Sequence, residues 1–453
     1  MNEKVIAVAL VALVAFGGIA AVAQPVAASS TQPSANDEHV VEQDGECYPI
    51  EALTSSGTVE AFYDYRNHET HPEDVDRMYS SYGTEHLQED NTSVLFLHEG
   101  TDGMSLVMIH DQVDGDTTGG VATFEITGAP AEAEWVVQDD LYDSEENMVE
   151  WYDEDGWLGA DWIWSEARTD GGAIQGGLND DFAMTIHPAF NEDAALYDVE
   201  DIYDPDFHEN GTIDDWEVLS GDSDDPDRTD LDLDEPVTIR TGSCDGPSVS
   251  YDQPGDGDTD ELTATIDGAD ASDEIALQPL SGTDSVATFD DITMTDVDGN
   301  GSVTFANDAD GLPDTPSDIE TFSSLSVTSD SLEDSSATVS FSVDADTLEE
   351  HQLSPDEVAL YEADGDEWEQ VPTSVTDQTG SEYRYSADIS SLEGLMIGEQ
   401  QEQLTDDDSA DGTDSSGADD DGASSMPGFA VGSALSALAV LCVALAARTR
   451  LSQ

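Results

Sequence analysis

The twelve residues Asp206-Phe207-His208-Glu209-Asn210-Gly211-Thr212-Ile213-Asp214-Asp215-Trp216-Glu217 carry the spacing of a calcium loop. Asp206 stands at position 1, Asn210 at 5, Gly211 at 6, Ile213 at 8, Asp214 at 9 and Glu217 at 12, so oxygen ligands would converge around one sharp turn. The departure is at position 3, where His208 replaces an oxygen. No amphipathic helix flanks the stretch, and in so acidic a chain such a match also arises by chance. A Ca2+ site on Asp206, Asn210, Asp214 and Glu217 and a plain loop are therefore both open. Asp296-Val297-Asp298-Gly299-Asn300-Gly301 repeats the first half of the template but has Asn307 where a bidentate glutamate belongs, and a hairpin turn is expected there. In His68-Glu69-Thr70-His71 the two histidines are one residue too close for the His-Glu-x-x-His zinc helix.

Three Asn-x-Ser/Thr sequons, at Asn91, Asn210 and Asn300, are N-glycosylation acceptors if the chain is exported. At Asn210 a glycan and a metal would compete for one amide. No Gly-x-Ser-x-Gly elbow, phosphate loop or Rossmann fingerprint is present, and among 105 Asp and Glu no acid/base pair stands out. No catalytic residue is assigned, and the expectation is that the chain is not an enzyme. Between Trp135 and Trp164 lie five tryptophans with Tyr142, Tyr152 and many carboxylates, including Asp139, Asp140, Glu145, Glu146, Asp153 and Asp155. Rings beside carboxylates suit a glycan-binding face or a glycoside hydrolase; they equally suit an apolar core threaded with acidic loops, and the core is the expected reading.

The elements that must position these residues are strands. Val94–His98 and Met104–His110 flank Gly100-Thr101-Asp102-Gly103, a hairpin pattern. Further apolar runs, Val121–Ile126, Trp135–Val137, Phe182–His187 and Val237–Arg240, alternate with Asp/Gly/Pro/Asn turns, so residues 46–245 read as a β-sandwich-like domain. Cys47 and Cys244 sit at its two ends, which invites a disulfide in an oxidising exterior, two free buried thiols being the alternative. Cys442 falls in the apolar tail. Residues 246–260, rich in Pro, Gly, Ser and Asp, read as a linker. A second β-domain over 261–400 follows, with Leu262–Ile266, Val286–Phe289, Ile292–Met294, Val303–Phe305 and Phe322–Val327. Its cleanest strand alternates Ala337, Val339, Phe341 and Val343 with Thr338, Ser340 and Ser342.

Composition places the protein in concentrated salt. Against 105 acidic residues stand 9 Lys and Arg, a net charge of −96, and the one lysine is Lys4. So acidic a chain would ordinarily be disordered, yet 7 Trp, 13 Tyr and 12 Phe with strand-like alternation argue for folded domains with acidic surfaces. At molar ionic strength the Debye length falls to about 3 Å and distant charges cease to repel, as in an extreme halophile. A nucleic-acid mimic is set aside because the chain reads as secreted. Lys4 precedes the apolar Val5–Ala23, with Ala21-Val22-Ala23 or Val26-Ala27-Ala28 as small-residue cleavage sites. Residues 1–28 are thus expected to be a signal peptide, an uncleaved anchor being the alternative, and 29–45 a linker.

At the other end Met426-Pro427-Gly428-Phe429 opens an apolar run to Ala447, closed by Arg448-Thr449-Arg450. Its length, about 28 Å as a helix, spans a membrane, and the arginines favour the cytoplasmic side. The acidic stalk 401–426, the triplet Pro427-Gly428-Phe429, the apolar helix and the basic end together resemble the PGF-CTERM sorting signal of archaeal surface proteins over 427–450. That resemblance implies an archaeosortase that removes the helix and leaves a membrane lipid near the triplet; an uncleaved span is the alternative. Residues 270–400 resemble the PGF-pre-PGF domain. The matching pieces are Ala337–Val343, Asp356-Glu357-Val358-Ala359-Leu360-Tyr361 and Trp368-Glu369-Gln370-Val371-Pro372-Thr373, while the family's last strand is reduced to Gly394-Leu395-Met396-Ile397-Gly398. No catalytic residue travels with that family. The expected protein is exported and held at the outer face of the cytoplasmic membrane, with an envelope-structural or ligand-binding role, surface-layer or glycan contacts, and no nucleic-acid partner.

Overall fold

The computed structural model describes residues 39–67, 79–141, 149–154, 157–197, 212–252, 261–280, 286–307, 312–317, 319–332, 335–365, 367–379 and 381–401. The expected signal segment 1–28, the expected stalk 401–426 beyond Gln401, and the segment with Pro427, Gly428 and Phe429 lie outside these residues. The protein is mainly β, as expected. Among the described residues no helix is long and apolar enough to cross a membrane.

Four large sheets form two pairs. In the first module one sheet runs in the order Glu150–Glu154, Trp157–Ser165, Gly119–Thr127, Ala183–Phe190, Val237–Thr241, His39–Gln43, Glu46–Ile50. The facing sheet runs Asp227–Leu231, Asp215–Ser220, Thr92–Gly100, Gly103–His110, Asp170–Gln175, Glu134–Gln138. Strand residues alternate between faces, so Phe124, Ile126, Trp162 and Ile186 of one sheet meet Leu95, Leu97, Met108, Ile174 and Trp216 of the other in one core. The outer face of the second sheet is not left wet. The helix Val59–Tyr63, capped by Thr58, lays Val59 and Tyr63 over Val94, Phe96, Val107 and Ile109.

The second module pairs a seven-stranded with a five-stranded sheet. Val339, Phe341 and Val343 project from Ser336–Asp344 into its core, where Phe341 stacks on Tyr385 at 4.9 Å. Asp296–Asp298 differs from the expected hairpin: it joins Ala287–Thr295 in the five-stranded sheet to Gly299–Ala306 in the seven-stranded one. The turn therefore crosses between layers, with Val297 buried beneath it.

Both expected linkers contain strands. His39–Gln43, within 29–45, pairs with Glu46–Ile50 and Val237–Thr241. Ser248–Tyr251, within 246–260, is the edge strand of the second module, because Val249 and Tyr251 alternate inward even among turn-forming neighbours. That strand also fuses the modules. Tyr251 is 1 % exposed, its N–H donates to Thr185 Oγ1 (2.9 Å) and its hydroxyl accepts from the Gln278 N–H (2.7 Å). Gly128 makes room for the ring: at φ +70° it occupies the left-handed region, and a Cβ there would stand 2.3 Å from the Tyr251 ring. An Arg384–Glu132 ion pair spans the same junction.

Candidate functional site

The strand registers sort the five tryptophans. Trp135, Trp162 and Trp164 are buried and Trp151 packs against them, edge-on to Trp135 and Trp162 at 4.8 and 5.6 Å. Trp157 alone of the five points the other way, to the outer face, because it shares the parity of Gly159 and Asp161. Across four strands the outward rows read Glu150–Asp161–Thr123–Ala189 and Tyr152–Gly159–Glu125–His187. Gly159 leaves a gap in the second row. The Trp157 and Tyr152 rings, 5.3 Å apart and inclined at 41°, close over it, each within 3.2 Å of where a Cβ would be.

Carboxylates surround this shelf. The Tyr152 hydroxyl donates to Asp161 Oδ2 (2.9 Å), and Thr123 Oγ1 donates to Asp161 Oδ1 (2.6 Å). Burial, then Asp161, Glu150 and Glu125, push the phenol up. Burial and Asp161 likewise raise Glu125. The segment with Ala194 and Leu196 covers Val121 and Ile163 at one margin, and His187 lies at the other, beside Tyr251. The sequence reading that the aromatic stretch is core holds for four of the five tryptophans; Trp157 and Tyr152 face outward, and Tyr142 lies outside the described residues.

A second constellation is buried. Tyr63 donates to Asp139 Oδ2 at 2.7 Å, and Tyr65 to Asp140 Oδ1. Asp139 and Asp170 are 0 and 1 % exposed, and Asp139 Oδ1 and Asp170 Oδ2 have no hydrogen-bond partner. Burial first, then the neighbouring carboxylates, hold Asp139 and Asp170 well above the usual carboxylate range. Asp140 is raised as well, chiefly by burial. Tyr63, Tyr65 and Asp170 were not singled out from the sequence; a buried acid has no sequence signal among 105 acids. Among the described residues no group of three or more His, Cys, Asp or Glu is disposed to hold a metal.

Two Ser–His pairs look catalytic and differ in access. Ser93 Oγ lies 2.9 Å from His110 Nδ1, but both residues are 0 % exposed. His110 is enclosed by Phe124, Trp162, Trp164 and Phe190, and burial pushes it down to about 3. It is a neutral core imidazole with no route for substrate. Ser55 Oγ lies 3.0 Å from His98 Nε2, and Ser55 is half-buried. The imidazole stacks on Phe62 at 4.3 Å, and His98 Nδ1 has no hydrogen-bond partner. The nearby Asp102 instead accepts from the Val59 N–H (3.2 Å) at the helix start, so the third member of a triad is not engaged.

Cys47 and Cys244 are joined in a disulfide with Cα atoms 5.6 Å apart. In the calcium-like stretch Asp206 and Asn210 lie outside the described residues. Asp214 accepts from Thr212 Oγ1 (3.3 Å), and Glu217 sits on Asp215–Ser220 with its carboxylate paired to Arg228. Asn91 is half-exposed in the left-handed region at φ 55°, and Ser93 of its sequon is buried. Asn300 is exposed and donates to Asp267 Oδ1 (2.6 Å). Between the modules a cavity of about 380 Å³ is lined by Glu132, Asp180 and Asp181 from one side and Asp290, Asp291 and Arg384 from the other. Ser342 donates to Asp290, whose carboxyl burial pushes up to about 7.

The chain matches no protein-family model, no curated protein and no solved structure.

Proposed function

We propose that the protein is an exported surface protein of an extreme halophile: two β-sandwich-like modules on an acidic stalk, tethered to the outer face of the cytoplasmic membrane, acting in envelope structure or in binding extracellular ligands. The observation that carries this reading is the Cys47–Cys244 bond, which ties the ends of the first module together and is of a kind that persists in an oxidising exterior. The resemblance of 427–450 to a PGF-CTERM signal supports a lipid tether installed by an archaeosortase at Pro427-Gly428-Phe429. The glycan-binding and hydrolase readings use the same first module. Of the two, binding is the better supported, because Asp139, Asp170 and His110, buried titratable groups of this module, are closed off from substrate.

Protease shaving of intact cells tests the location: peptides from both modules should be released, and a chain untouched by protease on intact cells refutes export. Intact mass of the deglycosylated protein tests the tether. The expected mature chain ends near Gly428 and carries a lipid. Recovery of Leu451-Ser452-Gln453 in most of it refutes processing and leaves an ordinary single span.

A further inference from the structure

The outer face of the first module carries two aromatic rings beside carboxylates. We propose that Trp157 and Tyr152 form a stacking shelf for one pyranose of a neutral saccharide, with Glu150 and Glu125 accepting its hydroxyl hydrogens. The proposal rests on the ligand-binding reading above and names its substrate class. Three observations support it together. First, an indole and a phenol lie over Gly159, partly exposed, with the polar Glu150, Asp161, Thr123 and Glu125 as their nearest outward neighbours on β-strand partners. Filling the gap above Gly159 accounts for where the rings sit, but not for what surrounds them.

Second, the shelf is pre-set. Tyr152 is fixed by Asp161, which Thr123 fixes in turn, so the ring need not be ordered when a ligand arrives. Third, Glu150 and Glu125 both stand close enough to the Tyr152 hydroxyl to act on it electrostatically. They flank it on the neighbouring row and on the far side of Gly159. Carboxyl oxygens accept hydrogen bonds, and sugar hydroxyls are the donors that match them.

An amine would also suit rings beside carboxylates, through cation–π attraction. Salt decides against it. In molar salt, ammonium attraction is screened beyond about 3 Å and must compete with the bulk cation, whereas CH–ring contact and hydroxyl hydrogen bonds act at contact range. A uronate would set acceptor-only oxygens against the acceptor-only oxygens of Glu150 and Glu125, a mismatch at contact range, so the class is neutral hexoses and N-acetylhexosamines.

The test uses the full chain extracted in detergent, in 2–3 M NaCl, on a printed panel of neutral, N-acetylated and uronic-acid oligosaccharides, with spermidine titrated by calorimetry. The expected result is binding of at least one neutral saccharide and no uronate. Affinity should fall at least tenfold in Trp157→Ala, be largely kept in Trp157→Phe, and fall several-fold in Glu150→Gln. Glu150 is exposed, so that last variant reads the shelf even if Trp157→Ala fails to fold. No saccharide bound, binding unchanged in Glu150→Gln and in folded Trp157→Ala, or Trp157-dependent binding of spermidine alone each overturns the proposal. Binding by extracted protein does not depend on where the cell places it, so this test and the shaving test fail separately.

Discussion

Asp290 gives the sharpest test of how burial and charge act in this protein. Its carboxyl faces the cavity between the modules and is pushed up to about 7 from 3.8, first by burial and then by Asp291 and Glu382, against the Ser342 hydrogen bond. Because the folded value is raised, Asp290 favours folding fully below pH 3.8, and that contribution is lost as pH rises toward 7. About three units at 1.36 kcal/mol each give roughly 4 kcal/mol across this window. Molar salt should leave most of it, since the leading cause is desolvation rather than the screened neighbours. Asp290→Asn keeps an acceptor for Ser342 and removes the titration. In denaturant melts at 3 M NaCl, the variant minus wild-type stability should be flat below pH 4. It should then climb by about 1.4 kcal/mol per pH unit and level off above pH 7 at roughly 4 kcal/mol in the variant's favour. A difference that does not change with pH would show that Asp290 is solvated and that the cavity is not the low-dielectric site described.

Three further outcomes are expected. Dialysis from molar to millimolar salt should abolish the near-UV circular dichroism, because a net charge of −96 is no longer screened; an unchanged spectrum removes the halophilic reading. Cys244→Ser should lower stability by about 5 kcal/mol, the chain-entropy value for closing a loop of 197 residues, and a loss under 1 kcal/mol in denaturant melts would contradict it. Gly128→Ala places a Cβ against the Tyr251 ring in left-handed backbone, so it should cost about 2 kcal/mol or more and split a joint calorimetric transition into two; a single transition at the wild-type temperature counts against fusion at Tyr251.

Legibility in the sequence followed the strength of local signals. Gly100-Thr101-Asp102-Gly103 announced its hairpin, and the pairing Gly100↔Gly103 closes it there. The alternation over Ala337–Val343 put the same four residues inward that the core buries. Where chemistry and geometry part, reading failed. Val286–Phe289 and Ile292–Met294 look like separate runs, but a bulge at Phe289/Asp291 lets one strand, Ala287–Thr295, carry both. Ser248–Tyr251 was hidden by turn-forming neighbours. For the site, the sequence showed the tryptophans but not their faces. One residue of register decides whether a ring is core or shelf, and Trp157 differs from Trp162 and Trp164 only in parity. The Asp139–Asp170 cluster had no local signal, since only the fold tells a buried carboxylate from a wet one.

The bond between Cys47 and Cys244 also has a mechanical meaning. A pull on the two ends of the chain would reach residue 47 from one side and residue 244 from the other. Tension entering at residue 47 and leaving at 244 crosses a single sulfur bridge, so the first module lies beside the load path rather than in it. Were that loop free to pay out, it would add on the order of 650 Å of slack. With the bridge closed the chain cannot lengthen by unravelling between those residues, and a pull on its ends falls on the strand His39–Gln43, the second module and the Tyr251 junction.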